Sequence, residues 1–126
     1  MTKPVVTIFG LIPERANLAP FPGLTPEKIH AGIHMSCERL EAAGYEARQC
    51  FLPPEVEEAE AQAIDYLKAR QPNVVCISAG VRMPADQVIL FERLIQAVRD
   101  HAPQARLCFN TMPTDTVAAV RRWTEA

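Results

Sequence analysis

Short apolar runs alternate with longer amphipathic stretches along the whole chain. The first run, Lys3-Pro-Val-Val-Thr-Ile-Phe-Gly10, is β-branched and aromatic, starts beside a proline and stops at a glycine, so it is predicted as a strand. Its nearly unbroken apolarity belongs to a strand covered on both faces. Residues 45–52 set Tyr45, Ala47, Gln49 and Phe51 against Glu46, Arg48, Cys50 and Leu52, a mixed pattern that suits the edge of a sheet, and Pro53-Pro54 ends it. Val74-Val-Cys-Ile-Ser78 is too short for a buried helix and lacks the alternation of a half-wet strand, so it reads as a second central strand. Residues 104–110, with Arg-Leu-Cys-Phe at their centre, give the fourth strand.

Helical signals fill the intervals. Thr25-Pro26-Glu27 places a hydroxyl at the N-cap, a proline at the first helical position and an acid in the first turn. That helix runs to about Ala43, carries Ile29, Ile33, Cys37 and Leu40 on its inner stripe, and stops at Gly44. Residues 55–70 form a second helix with acids at its amino end and Lys68 and Arg70 at its carboxyl end; Val56, Ala59, Ala63, Ile64 and Leu67 supply its buried face. Met83-Pro-Ala-Asp86 leads into a long helix to about His101, stopped by Pro103, and Thr111-Met-Pro-Thr-Asp115 leads into a last helix ending near Trp123. Residues 11–25 carry Pro13, Pro20, Pro22 and Gly23 without a period, so they form a surface loop long enough to act as a lid over the first strand's carboxyl end.

A β-α order of this kind implies a parallel sheet with helices on both faces and right-handed crossovers. The simplest strand order is 2-1-3-4, giving a three-layer α/β/α sandwich, flavodoxin-like or Rossmann-like, as one domain over residues 1–126. The first and last helices share a face, and the order reverses between strands one and three, so the ligand crevice is expected between Gly10 and Ser78.

Composition narrows the partners. With 126 residues, 48% hydrophobic and 22% charged, the chain is an ordinary globular domain. A net charge of −2 with scattered Lys and Arg offers no footprint for nucleic acid or an anionic membrane. The early apolar run lacks signal-peptide features, and no run is long enough for a bilayer. Cys37, Cys50, Cys76 and Cys108 form no C-x-x-C pair and read as reduced, buried thiols of a cytoplasmic protein.

Several chemistries are disfavoured. Gly10-Leu-Ile-Pro-Glu is not a dinucleotide turn, and the chain has no P-loop. Strands one and three end in Gly10 and Ser78 where a phosphoacceptor domain needs acids. Cys76-Ile-Ser-Ala-Gly80 lacks the leading glycine of a nucleophile elbow, and Pro84 is read as delaying the helix that should begin at once, leaving a plain backbone turn. His30, His34 and Cys37 share a helical face and could offer three metal ligands. Cys37 fits the apolar stripe, however, and no fourth ligand lies nearby, so no metal is assigned.

The strongest polar constellation combines Gly80, Arg82, Asn110, Thr111 and Thr114, which should converge beyond strands three and four, beside Gly10 and Ser78. Arg82 with Asn110 and Thr111 would hold a carboxylate or phosphate, with Glu92 or Asp115 as acid-base groups. The alternative makes Asn110 and Thr114 turn and cap residues and pairs Arg82 with Asp86, Glu92 or Asp115. The pattern Gly80-x-Arg82, Leu90-Phe91-Glu92, Phe109-Asn110-Thr111-x-Pro113-x-Asp115-Thr116 and Arg122-Trp123 resembles a set of small hypothetical bacterial and fungal proteins with no activity attached. The resemblance covers the carboxyl-terminal half and carries over no catalytic residue, cofactor or substrate.

Three functional readings follow. The protein is a binder or small enzyme for an anionic metabolite, or a non-catalytic module, or a binder of flavin or nucleotide in the crevice. A homodimer is expected through the long helix after strand three, where Val88, Phe91, Ile95 and Val98 form a stripe widened by Leu90 and Leu94, with Ile89 on the far side.

Overall fold

The computed structural model describes residues 2–124. Strands β1 (Val5–Leu11), β2 (Glu46–Leu52), β3 (Val74–Ile77) and β4 (Arg106–Phe109) form one parallel sheet in the order β2-β1-β3-β4. The helices are α1 (Pro26–Ala42), α2 (Val56–Ala69), the single turn α3 (Ala79–Arg82), α4 (Val88–His101) and α5 (Thr116–Thr124). This is the predicted strand order, and apolarity explains it. Every residue of β3 and all but the first of β1 are buried, whereas β2 is mostly half-buried and takes an edge.

Alternation along β1 divides the core. Val6 and Ile8 meet Leu40 of α1, Ala119 and Val120 of α5, and Cys76 and Cys108 of the neighbouring strands. Phe9 and Leu11 point the other way, into a cluster with Ala63 and Leu67 of α2 and Leu90 and Leu94 of α4. The first and last helices therefore share a face, as expected. Thr25 caps α1 by accepting from the Lys28 N–H at 3.2 Å, and Gly44, at φ 98°, supplies the left-handed stop.

The chain departs from its sequence reading just after β3. A helical turn, α3, starts at Ala79, and a 3₁₀ turn at Ala85–Gln87 precedes α4. Pro84 does not delay the first turn, because Ala79-Gly-Val-Arg82 lies wholly upstream of it; the proline instead separates α3 from α4. Strand β4 is shorter than residues 104–110. Gln104 leaves the ladder to donate to Gln71 Oε1 at 2.6 Å, and Asn110 uses its side chain rather than continuing the strand.

The buried face of α4 runs through Leu90, Leu94, Ala97 and Val98, whereas Phe91 and Ile95 of the expected stripe are half-buried and Val88 is exposed. Leu90 and Leu94 are fully buried, and Phe91 meets Phe109 edge-on with ring centroids 5.7 Å apart. Val88 and Ile89 stay about half exposed at its amino end, as does Met83 just upstream. Leu94→Ala should therefore destabilise the protein by about 2–5 kcal/mol, while Ile89→Ala should change stability by about 0.5 kcal/mol or less. Urea denaturation of the two variants checks this ordering.

Candidate functional site

Beyond the carboxyl ends of β1 and β3 the crossovers leave to opposite sides, and residues 12–25 pass over the gap. The crevice beneath them is about 320 Å³. Ile8 and Gly10 line its sheet side, Ile29, Ile33 and Met35 come from α1, and Leu18, Phe21 and Leu24 come from the loop. Ile29 and Ile33 belong to the inner stripe of α1, yet both are only half-buried. The amino-terminal half of the stripe faces the cavity, across from Ile8 and Gly10 of β1. Gly32 lets α1 come close to the turn before α5, since a Cβ there would lie 3.0 Å from Pro113 Cγ.

The roof is tied down on several sides. Ile12 N–H donates to Leu52 O at 2.9 Å, Arg15 pairs with Glu55 at 2.5 Å, and Asn17 donates to the Asp86 carboxylate at 3.3 Å. Glu14 meets His30 at 2.9 Å. The Glu14 carboxyl is held below its usual range, first by a hydrogen bond from its own backbone N–H and then by His30.

Polar atoms interrupt this apolar wall at one place. Gln49 lies opposite Ile8 in the β1–β2 register, and its amide reaches across Gly10. Gln49 Nε2 and Ser78 Oγ lie 3.1 and 3.5 Å from the point a Gly10 Cβ would occupy. Ser36, on α1, is 3% exposed and lines the same cavity. Its hydroxyl and both amide atoms of Gln49 are buried without a hydrogen-bond partner. Leaving such a group unpaired costs roughly 1–3 kcal/mol. Thr7 Oγ1, Arg48 Nε and Arg82 Nε are also buried without a partner, but on residues that do not line the cavity; Gln49 and Ser36 are the ones that do, among the described residues.

Of the residues singled out from the sequence, Gly10, Ser78, Gly80, Asn110, Thr111 and Thr114 all line the crevice. Arg82 does not. Its guanidinium donates to Asn110 O and lies 5.3 Å from the centre of the Phe109 ring. It pairs with none of the three carboxylates proposed for it: Asp86 receives Asn17, and Asp115 accepts from Thr111, through the N–H at 3.0 Å and through the hydroxyl. Glu92 is exposed on α4, across the sheet from the Gln49 face. Asn110 is structural as well as lining. Its Oδ1 accepts from Ala79 N–H at 3.0 Å, and its Nδ2 donates to Thr116 Oγ1 at 2.9 Å. The ends of β3 and β4 carry buried backbone groups that need partners, and this demand claims Asn110 and Arg82.

Gln49 and Ser36 escaped the sequence reading. The available signal was a polar residue on the Tyr45-Ala47 face of β2, the face shared with Leu40 of α1, while Cys50 and Leu52 pack on the other. The histidines of α1 go to carboxylates, His30 to Glu14 and His34 to Glu38 at 2.7 Å, and the described residues hold no group of three or more His, Cys, Asp or Glu that could take a metal. None of the four cysteines lines the crevice: burial pushes Cys50 up to about 11, and in the buried Cys76–Cys108 pair the mutual hydrogen bond raises Cys76 and lowers Cys108.

No family model, curated protein or solved structure matches the chain. The functional reading therefore rests on the crevice.

Removing the Asn110 side chain strands the buried Ala79 N–H and the Thr116 hydroxyl. Asn110→Ala should cost roughly 2–4 kcal/mol, and Arg82→Lys, which keeps a donor for the Asn110 carbonyl, about 1 kcal/mol or less. Chemical denaturation without any added ligand measures both.

Proposed function

We propose that the protein binds a small molecule with a largely apolar body in the crevice between β1 and β3, under residues 12–25. The observation that supports this most is the cavity itself. It is about 320 Å³, near the lower end of the range for ligand pockets, walled mainly by aliphatic and aromatic side chains and set at the point where the strand order reverses. Burial of apolar ligand surface there would drive binding at about 25 cal/mol per Å².

An anionic metabolite, the first expectation, has less support. Arg82 is engaged by the Asn110 carbonyl. Among the described lining residues Lys28 alone is charged, and it donates to Gly23 O at 3.0 Å. Acid-base roles for Glu92 and Asp115 lack support too, since neither lines the crevice. Ser78 reaches the cavity, but the lining includes no His, Asp or Glu to take its proton. The groups present favour binding over proton transfer.

A thermal-shift panel tests this, because a ligand that binds only the native state raises the melting temperature. Neutral aromatic and alicyclic compounds should raise it, and phosphorylated or carboxylated metabolites should not. Phe21→Ala, which opens the roof, should weaken the best neutral compound by about tenfold, roughly 1.4 kcal/mol. Shifts from anions alone would return the site to the anionic reading, and flavin absorbance of the purified protein would favour the flavin one.

A further inference from the structure

We infer that Gln49 and Ser36 select a neutral head group that donates and accepts hydrogen bonds together, namely a primary carboxamide or a lactam. This rests on the crevice being an apolar-ligand site. Gln49 stands on β2 and Ser36 on α1, so the two converge on the cavity from different walls. Whichever way the Gln49 amide is turned, it presents an acceptor and a donor side by side, and the Ser36 hydroxyl can serve in either role. None of these atoms has a partner among the described residues. Ser78, which follows β3 and lies across Gly10 from Gln49 of β2, extends the polar end along the sheet.

The chemistry of competing heads separates them. A hydrocarbon would leave all three atoms unpaired. A carboxylate could accept from Nε2 and the hydroxyl, but it would face Gln49 Oε1 with no donor of its own. It would also bring a buried charge into a cavity whose one cation, among the described lining residues, is already bonded to Gly23. A carboxamide matches the Gln49 amide donor to acceptor and acceptor to donor, and stays neutral. Its apolar body then lies under Leu18 and Phe21.

Gly10 is part of the same device. Its φ is not positive, so alanine is allowed there, but the added Cβ would lie 3.1 Å from Gln49 Nε2 and force the amide to move. Gly10→Ala therefore acts first on the head-group site, because the three atoms nearest the added methyl belong to Gln49 and Ser78.

Calorimetric titration of the full chain with 2-naphthamide, 2-naphthoate and 2-methylnaphthalene tests the inference, because the three share a body and differ in the head. Naphthamide should bind at least tenfold tighter than either of the others. In Gln49→Met the ratio of naphthamide to methylnaphthalene affinity should fall to near one, and in Gly10→Ala and Ser36→Ala it should fall at least threefold. Thermal melts establish that each variant is folded, and Gly10→Ala and Ser36→Ala carry the test if Gln49→Met is not. Naphthoate binding as tightly as naphthamide, or an amide preference that survives the folded variants, would overturn the inference. Equal binding of naphthamide and methylnaphthalene, both weakened by Phe21→Ala, would remove head-group selection and leave the apolar site standing. If none of the three binds, both readings fall.

Discussion

The buried side chain of Asn110 joins the parts on which the crevice depends. One end of its amide takes the Ala79 N–H at the start of α3, the other gives to Thr116 at the start of α5, and its own carbonyl receives Arg82. Parallel strands end in backbone groups that the ladder no longer satisfies, and here one residue supplies partners at the ends of two neighbouring strands and the helices that follow them. Arg82 over the Phe109 ring, and Phe109 edge-on to Phe91, extend this clamp toward α4. These bonds hold the wall bearing Ser78, Gly80 and Asn110, and the opposite wall of loop and α1 is mainly apolar.

The cavity lies between the amino-terminal half of α1 and the carboxyl ends of the strands, with Ile29 and Ile33 on one side and Ile8, Gly10 and Gln49 on the other. Residues 12–25 cover it with Leu18, Phe21 and Leu24, and are tied at Glu14, Arg15 and Asn17 to α1, to Glu55 before α2, and to the turn before α4. A well-packed protein would close the gap or line it uniformly with hydrocarbon. This one places the unpaired polar atoms of Gln49 and Ser36 there, and such local violations of packing rules are characteristic of functional sites.

The fold was largely legible in the sequence because burial on both faces leaves a plain mark. The unbroken apolarity of Val74 to Ile77 and of Val5 to Phe9 placed both strands centrally, and the mixed pattern of β2 placed it at an edge. The crevice between Gly10 and Ser78 followed from strand order alone. Its chemistry did not. Arg82 was read as a ligand donor since it follows a strand end, but sequence gives no view of the carbonyl that takes it. Gln49 went unnoticed since an edge strand tolerates polar residues on either face, and only the position of α1 shows that its face is covered. The turn of helix at Ala79 was hidden by Pro84, whose effect depends on which side of it the helix lies.

The central claim is that the β1–β3 crevice takes an apolar molecule with a neutral amide head. Isoleucine side chains report on it directly, because Ile8, Ile29 and Ile33 line the cavity while Ile64 and Ile95 pack on the opposite layer and Ile89 is exposed on α4. Methyl-resolved NMR of the labelled protein, titrated with 2-naphthamide, should move the Ile8, Ile29 and Ile33 resonances in a saturable way and leave Ile64, Ile89 and Ile95 in place. Saturable shifts confined to Ile89 and Ile95, or no shift in any of the six, would contradict the account.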